Sequence, residues 1–207
     1  MNNEISNSEL NRLIPPEIKN DEFYATLQRI TREENIKTVL EIGSSSGEGS
    51  TEAFVTGIRH NPHKPILFCM EVSKTRFTEL KKRYENDDFV KVYNLSSVPI
   101  ESFPNEKEVV DFYNNTENNL KNYPLERVIY WLRQDIEYVK SSGLSEHGIR
   151  KIKQENNIDY FDLVLIDGSE FTGNAEFNEI YGAKYICLDD INTFKNYRNF
   201  LRLLEDS

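Results

Sequence analysis

The sequence predicts one α/β domain, residues 1–207, with a doubly wound, mostly parallel sheet and helices on both faces. Three observations carry this expectation. Short apolar runs rich in Val, Ile and Leu alternate with longer stretches of helical periodicity. The run Phe161-Asp162-Leu163-Val164-Leu165-Ile166 is too uniformly apolar for an exposed strand, as a central parallel strand should be. The runs also end in glycine or acid, at Gly43, Glu71, Asp167 and Asp189-Asp190, where sheets of this class meet their ligands.

The elements follow in order. Residues 1–20 are polar, carry Pro15-Pro16 and are read as an N-terminal arm. Asp21 is placed to cap a helix running to about Asn35, with Phe23, Leu27 and Ile30 on one face. Strand one is expected at Thr38 to Ile42 and a helix from about Ser50 to Arg59. The breaker Asn61-Pro62-His63-Lys64-Pro65 then leads into strand two, Ile66 to Met70. A helix over Lys74 to Tyr84 and a third strand over Val90 to Leu95 complete the first half.

Roughly 65 residues separate strand three from the next clear strand, far more than a crossover helix requires, so residues 104–157 are read as a helical insertion forming a lid or substrate wall. Its rings include Phe112, Tyr113, Tyr123, Tyr130, Trp131 and Tyr138, with Pro124 opening the helix that holds Trp131. For any single ring, packing the insertion onto the body is the favoured use. Strand four ends at Asp167-Gly168 and strand five, Tyr185 to Leu188, at Asp189-Asp190. Asn192 to Leu204 reads as the last helix.

The most informative stretch is Glu41-Ile42-Gly43-Ser44-Ser45-Ser46-Gly47-Glu48-Gly49-Ser50, which joins strand one to a glycine-punctuated turn and a helix. Glycines let a backbone approach a ligand where a Cβ would clash, and the helix start offers unpaired N–H groups. Such a turn suits a nucleotide cofactor. Short-chain nicotinamide dehydrogenases share the glycine spacing, but they need a Tyr-x-x-x-Lys proton-transfer pair, and no tyrosine here has a lysine four residues later.

A strand ending Glu-x-Gly-x-x-x-Gly closely resembles the first motif of class I S-adenosylmethionine (SAM)-dependent methyltransferases. Ser45 stands where the family commonly has a middle glycine, and the serine-bearing turn followed by Ser50-Thr51 looks most like the catechol O-methyltransferase-like branch. The resemblance implies a Rossmann-like fold in which Glu41, Gly43, Ser44, Ser45 and Gly47 hold the methionine end of SAM. It further implies that Glu71, with Val72, receives the ribose hydroxyls, that Ser96 and Ser97 contact the adenine, and that Asp167 lies at the cofactor. Glu71 could instead cap the helix beginning near Lys74.

Acids at the ends of strands one, four and five would converge on one rim, and gathered carboxylates suit Mg²⁺, which could bind a substrate hydroxyl and lower its pKa. The resemblance places metal ligands at Asp167 and Asp190, with Asp189 beside them. The family often has Asn directly after the second ligand, where this chain has Ile191. Against a metal, Asp167-Gly168 could form a tight turn and Asp190 the N-cap of the last helix. Asp167, Asp190 and His147, as a general base, are the catalytic candidates. Lys195 could neutralise an acidic substrate, and Glu170 and Phe171 would lie near the methyl donor. His60 and His63 read as solvated loop residues.

Net charge is −10 and the pI about 4.9, which disfavours nucleic acid and anionic membranes as partners. The densest basic run, Lys81-Lys82-Arg83, reads as a solvated helix face. No apolar run approaches the ~20 residues of a membrane span and no signal segment is evident, so a cytoplasmic location is expected. Cys69 and Cys187 lie in strands and read as buried free thiols.

Class I methyltransferases usually close with a two-strand hairpin after strand five, which this chain is expected to lack. Strand five would then be an exposed edge, covered by the arm or by a homo-oligomer contact. The expected function is O-methylation of a small hydroxylated acceptor, a sugar or secondary metabolite. The alternative is a non-catalytic SAM-binding or structural module.

Overall fold

The computed structural model describes residues 17–206, so most of the expected N-terminal arm, including Pro15-Pro16, lies outside the described residues. The fold is α/β, Rossmann-like, with five parallel strands and intervening helices in two compact units, divided after Asn94.

In the first unit, helix α1 (Glu22–Glu33) starts where Asp21 accepts a hydrogen bond from the Tyr24 N–H at 2.7 Å. It precedes β1 (Thr38–Ile42), α2 (Ser50–His60), β2 (Ile66–Met70), α3 (Lys74–Arg83) and β3 (Val90–Tyr93). The strands lie in the order β3-β2-β1, with Val39 opposite Leu67 and Leu67 opposite Val90. β1 and β2 are buried almost throughout and β3 is half-buried, as central and edge strands should differ.

Helix α2 packs closely on α1 because Gly57 has no side chain. A Cβ there would stand 2.0 Å from Thr31 Oγ1 and 2.5 Å from the Gln28 carbonyl oxygen. Beyond α2, the Asn61 side chain donates to the Thr31 and Glu34 carbonyls at 2.8 and 2.9 Å. Those are groups that the end of a helix leaves without partners. The breaker segment thus fastens the end of α1 as well as turning the chain.

The second unit holds α4 (Glu106–Asn115), α5 (Leu125–Ser141), α6 (Gly148–Asn156), β4 (Leu163–Ile166), α7 (Gly173–Ile180), β5 (Tyr185–Leu188) and α8 (Tyr197–Glu205), with short 3-10 turns at Ile100–Ser102 and Asn119–Asn122. β4 is fully buried and pairs parallel with the half-buried β5, Val164 opposite Ile186. The helical insertion is present. Its apolar face, Val109, Phe112, Leu120, Val128, Ile129 and Leu132, closes around Phe171, with Phe194 and Tyr197 packed against it. Trp131 sits partly buried at the edge of this cluster, while Tyr123, Tyr130 and Tyr138 are exposed.

Two expectations change. The helix after β5 begins at Tyr197 rather than Asn192, because residues 191–196 form a turn in which the Thr193 and Asn196 side chains bond to backbone carbonyls. Helix α7, not anticipated from the sequence, is short and opens Gly-Asn, a pair of low helical propensity.

Candidate functional site

The first unit contributes a backbone cradle. After β1 the chain turns through Gly43 (φ 92°), Ser45 (φ 51°) and Gly47 (φ 81°), left-handed backbone that glycine adopts readily and that a serine holds only when its surroundings enforce it. The enforcement is visible. The Gly43 and Ser44 N–H groups both donate to the Met70 carbonyl, at 3.1 and 3.0 Å, and the Ser45 N–H donates to Glu71 Oε2 at 2.7 Å. From the far side, Tyr84 Oη donates to the Gly47 carbonyl at 2.6 Å and Arg83 Nε to the Ser46 carbonyl at 3.2 Å. A Cβ on Gly47 would fall 2.7 Å from both Leu80 and Tyr84, so α3 braces the turn directly.

Two buried carboxylates organise this cradle in different ways. Glu41 is wholly buried, and its oxygens accept from Ser50 Oγ at 2.6 Å and Thr51 Oγ1 at 2.7 Å. It ties β1 to the first turn of α2 from inside. Burial pushes its pKa up, opposed by the Ser50, Ser44 and Thr51 hydroxyls. Glu71, at the end of β2, accepts from the Ser45 N–H with one oxygen and from the Ser73 N–H, at 2.7 Å, with the other. It therefore pins both the turn and the start of α3, where Ser73 is the N-cap. Burial raises its pKa too, opposed by the Ser73 N–H and by Arg76. Asn94 donates to the Glu71 and Val72 carbonyls at 2.7 and 2.9 Å and fixes the backbone between them.

The second unit contributes a side-chain cluster. Lys195 is buried, and its Nζ lies 2.8 Å from Asp190 Oδ2, 3.0 Å from Asp167 Oδ1 and 3.8 Å from Asp189 Oδ2. Burial alone would lower the lysine pKa, but Asp167 and Asp190 raise it well above its usual range, so the ammonium stays charged. Burial likewise pushes Asp167 up while Lys195 pulls it down. Glu170 accepts from the Lys195 backbone N–H at 3.1 Å, and desolvation carries its pKa to about 7.

The turn that presents Lys195 is fixed on both sides. Asn196 donates to the Ile166 carbonyl at 3.1 Å and the Asp189 carbonyl at 2.6 Å, bridging the ends of β4 and β5. Phe194 and Tyr197 set their rings edge-on against Phe112, with centroids 5.3 and 5.6 Å apart. Asp190 itself is left-handed (φ 51°), and its carbonyl accepts from the Thr193 N–H, so it shapes the turn and does not cap α8.

The predicted residues accordingly divide between the units. Glu41, Gly43, Ser44, Ser45, Gly47, Glu71 and Val72 form the first unit's cradle. Asp167, Asp189 and Asp190 meet in the second. Ser96 and Ser97 lie at a buried turn of the second unit, but their hydroxyls are turned to the Val98 carbonyl (2.6 Å) and to Glu176 (2.5 Å). His147 is exposed before the first residue of α6, and His60 and His63 are exposed. Phe171 belongs to the apolar core of the second unit.

Sequence reasoning missed Tyr84 and Arg83 as braces of the glycine turn, and Asn94 and Asn196 as clamps at strand ends. The available signals were a tyrosine at the end of a helix and, for Asn94, an asparagine directly after a strand; Asn196, eight residues beyond β5, carried none. Lys195 was noticed as a charge for a substrate, whereas the chain's own acids engage it. Mg²⁺ takes oxygens at about 2.0–2.1 Å in a near-octahedral shell. Between Asp167 and Asp190 stands the Lys195 ammonium, while Asp189 and Asp190 bring carboxylate oxygens within 4.8 Å of one another.

No protein-family model matches the chain and no curated protein matches it. Among solved structures it is similar to one described as "a putative caffeoyl-CoA O-methyltransferase from Staphylococcus aureus", at 15% identity and a TM-score of 0.47, over 99% of this chain and 73% of that one. Among the described residues, no helix is long and apolar enough to cross a membrane.

Proposed function

We propose that this chain is a SAM-dependent methyltransferase acting on an oxygen of a small hydroxylated acceptor, a sugar or secondary metabolite. The observation that carries the reading is Glu71. An acid at the end of the second strand is bound to the glycine turn through the Ser45 N–H, which sets the carboxylate beside backbone that a ligand can approach. Each of its oxygens takes one N–H, and a carboxylate oxygen can accept a second hydrogen bond, here from a ribose hydroxyl. The cradle fits the cofactor in that respect. SAM when bound supplies an electrophilic sulfonium methyl; the protein supplies position and charge.

Within the first unit, Glu41 holds the turn to α2, Tyr84 and Arg83 hold it to α3, and the missing side chain of Gly47 lets α3 pack against it. Ser96, Ser97 and Asp167 remain proposed cofactor contacts of the second unit. The two free thiols fit a reducing compartment such as the cytosol. A non-catalytic SAM-binding module is the second reading, favoured by the internal pairing of Asp167 and Asp190 with Lys195.

Calorimetric titration with SAM tests the proposal. Micromolar binding is expected for the wild type, weakened about 100-fold or more by Glu71→Ala and by Gly43→Arg, a loss of about 2.7 kcal/mol. Circular dichroism of both variants checks that they fold. A folded wild type that ignores SAM sinks the reading; binding without methyl transfer across an acceptor panel selects the non-catalytic module.

A further inference from the structure

The acids at the ends of β4 and β5 have the donor chemistry of a magnesium site, yet their geometry is that of a lysine site. We propose that Lys195 is the resident cation of this cluster and that the second unit holds its acids together without a divalent metal.

Three features make the arrangement a built one. The Lys195 side chain is only 7% exposed, against 23% for Asp167, 21% for Asp189 and 38% for Asp190, so the cation is the most enclosed member of the group. A long solvated lysine that strays onto an acid would show the reverse order. The ammonium also meets carboxylates from two different strand ends at 2.8 and 3.0 Å, the distances of charge-assisted hydrogen bonds. Finally, the backbone around it cannot shift easily. Lys195 donates its N–H to Glu170, Asn196 is bonded to both strand ends, and a Cβ on Gly173 would fall 2.1 Å from the Lys195 carbonyl oxygen.

A divalent ion bridging Asp167 and Asp190 would have to displace the ammonium from both carboxylates or sit against it with like charge. In the arrangement present, the ammonium already takes the facing oxygens of both carboxylates. The lysine thereby offsets part of the anionic charge, which otherwise would repel itself at the ends of two neighbouring strands. Asp167, Asp189, Asp190 and Lys195 all belong to the second unit, and the metal test is read without SAM, so its failure is distinguishable from a failure of cofactor binding.

The experiment is manganese titration of the chelator-treated full chain, followed by the electron paramagnetic resonance signal of free Mn²⁺ and by thermal melting. The wild type is expected to show no saturable binding up to about 1 mM and no shift in Tm. Lys195→Met, which keeps the apolar stem and removes the charge, is expected to melt lower, to bind Mn²⁺ about tenfold more tightly than the wild type or better, and to regain Tm as the ion is added. One saturable micromolar site in the wild type, abolished by Asp167→Asn or Asp190→Asn, would overturn the proposal. So would a folded Lys195→Met chain that gains no affinity. The wild-type titration decides even if that variant fails to fold.

Discussion

Two pairs of acids at strand ends, one pair in each unit, are held by opposite means. In the first, Glu41 accepts from two hydroxyls and Glu71 from two backbone N–H groups. In the second, Asp167 and Asp190 are joined by a buried ammonium. Neutral donors fix geometry and leave the acid to bear its desolvation; a paired cation relieves the charge but commits both partners to each other. The first arrangement suits a surface that must accept a ligand's own donors, and the second suits a joint between strand ends.

The largest expected effect that separates the two is a pH dependence. Glu170, beside Lys195, has its pKa raised from the usual 4.5 to about 7 by burial. The unfolded chain loses this proton near the ordinary value while the folded chain keeps it. The folded state therefore binds more protons between pH 4.5 and 7, and stability falls as pH rises through that window. A shift of this size corresponds to about 3 kcal/mol, fully lost above the folded value. Urea denaturation of the wild type and Glu170→Gln across pH 4–8 should show the variant's slope flattened in that interval. Parallel slopes would mean that Glu170 does not hold its proton in the folded chain.

Next in size is a matched pair of glycines. Each unit relies on one glycine to bring two segments into contact: Gly57 sets α2 on α1, and Gly173 sets α7 against the Lys195 turn. In each, a Cβ would lie within 2.1 Å of a neighbouring oxygen. Alanine at either position should destabilise by about 2–3 kcal/mol through overpacking. Gly57→Ala meets a threonine hydroxyl as well as backbone and has some room to adjust. Gly173→Ala meets backbone first, so its loss should be the greater, and it should also disturb Lys195. Equal losses, or a harmless Gly173→Ala, would break the view of that turn as rigid.

How far the sequence revealed this division can be judged from particular residues. Strands β1, β2 and β5 were legible to the residue because apolar runs ended in glycine or acid. The Asp21 cap was legible because a capping acid preceded an amphipathic pattern. The glycine turn and Glu71 were legible as a constellation, since their chemistry is local to two strand ends. What could not be read was contact across long separations: Tyr84 reaching the Gly47 carbonyl, or Lys195 filling the space among three acids. Residues 192–196 read as the start of the last helix, and a turn forms instead because Asn196 finds partners at two strand ends.

The smallest expected effect tests whether the units also differ in how their helices begin. Asp21 caps α1 through a single bond to the Tyr24 N–H. Asn105 opens α4 with a reciprocal box, accepting from the Glu108 N–H at 3.0 Å while Glu108 Oε2 accepts from the Asn105 N–H at 2.8 Å. Alanine at either cap should cost about 1 kcal/mol. The Asn105→Ala chain keeps the second half of its box, because that bond uses only the backbone of residue 105. Its loss should therefore be the milder of the two. Hydrogen exchange should show faster opening in the first turn of α1 for Asp21→Ala and in the first turn of α4 for Asn105→Ala. If Asn105→Ala frays α4 as much as Asp21→Ala frays α1, or more, the reciprocal bond contributes nothing once its partner is gone.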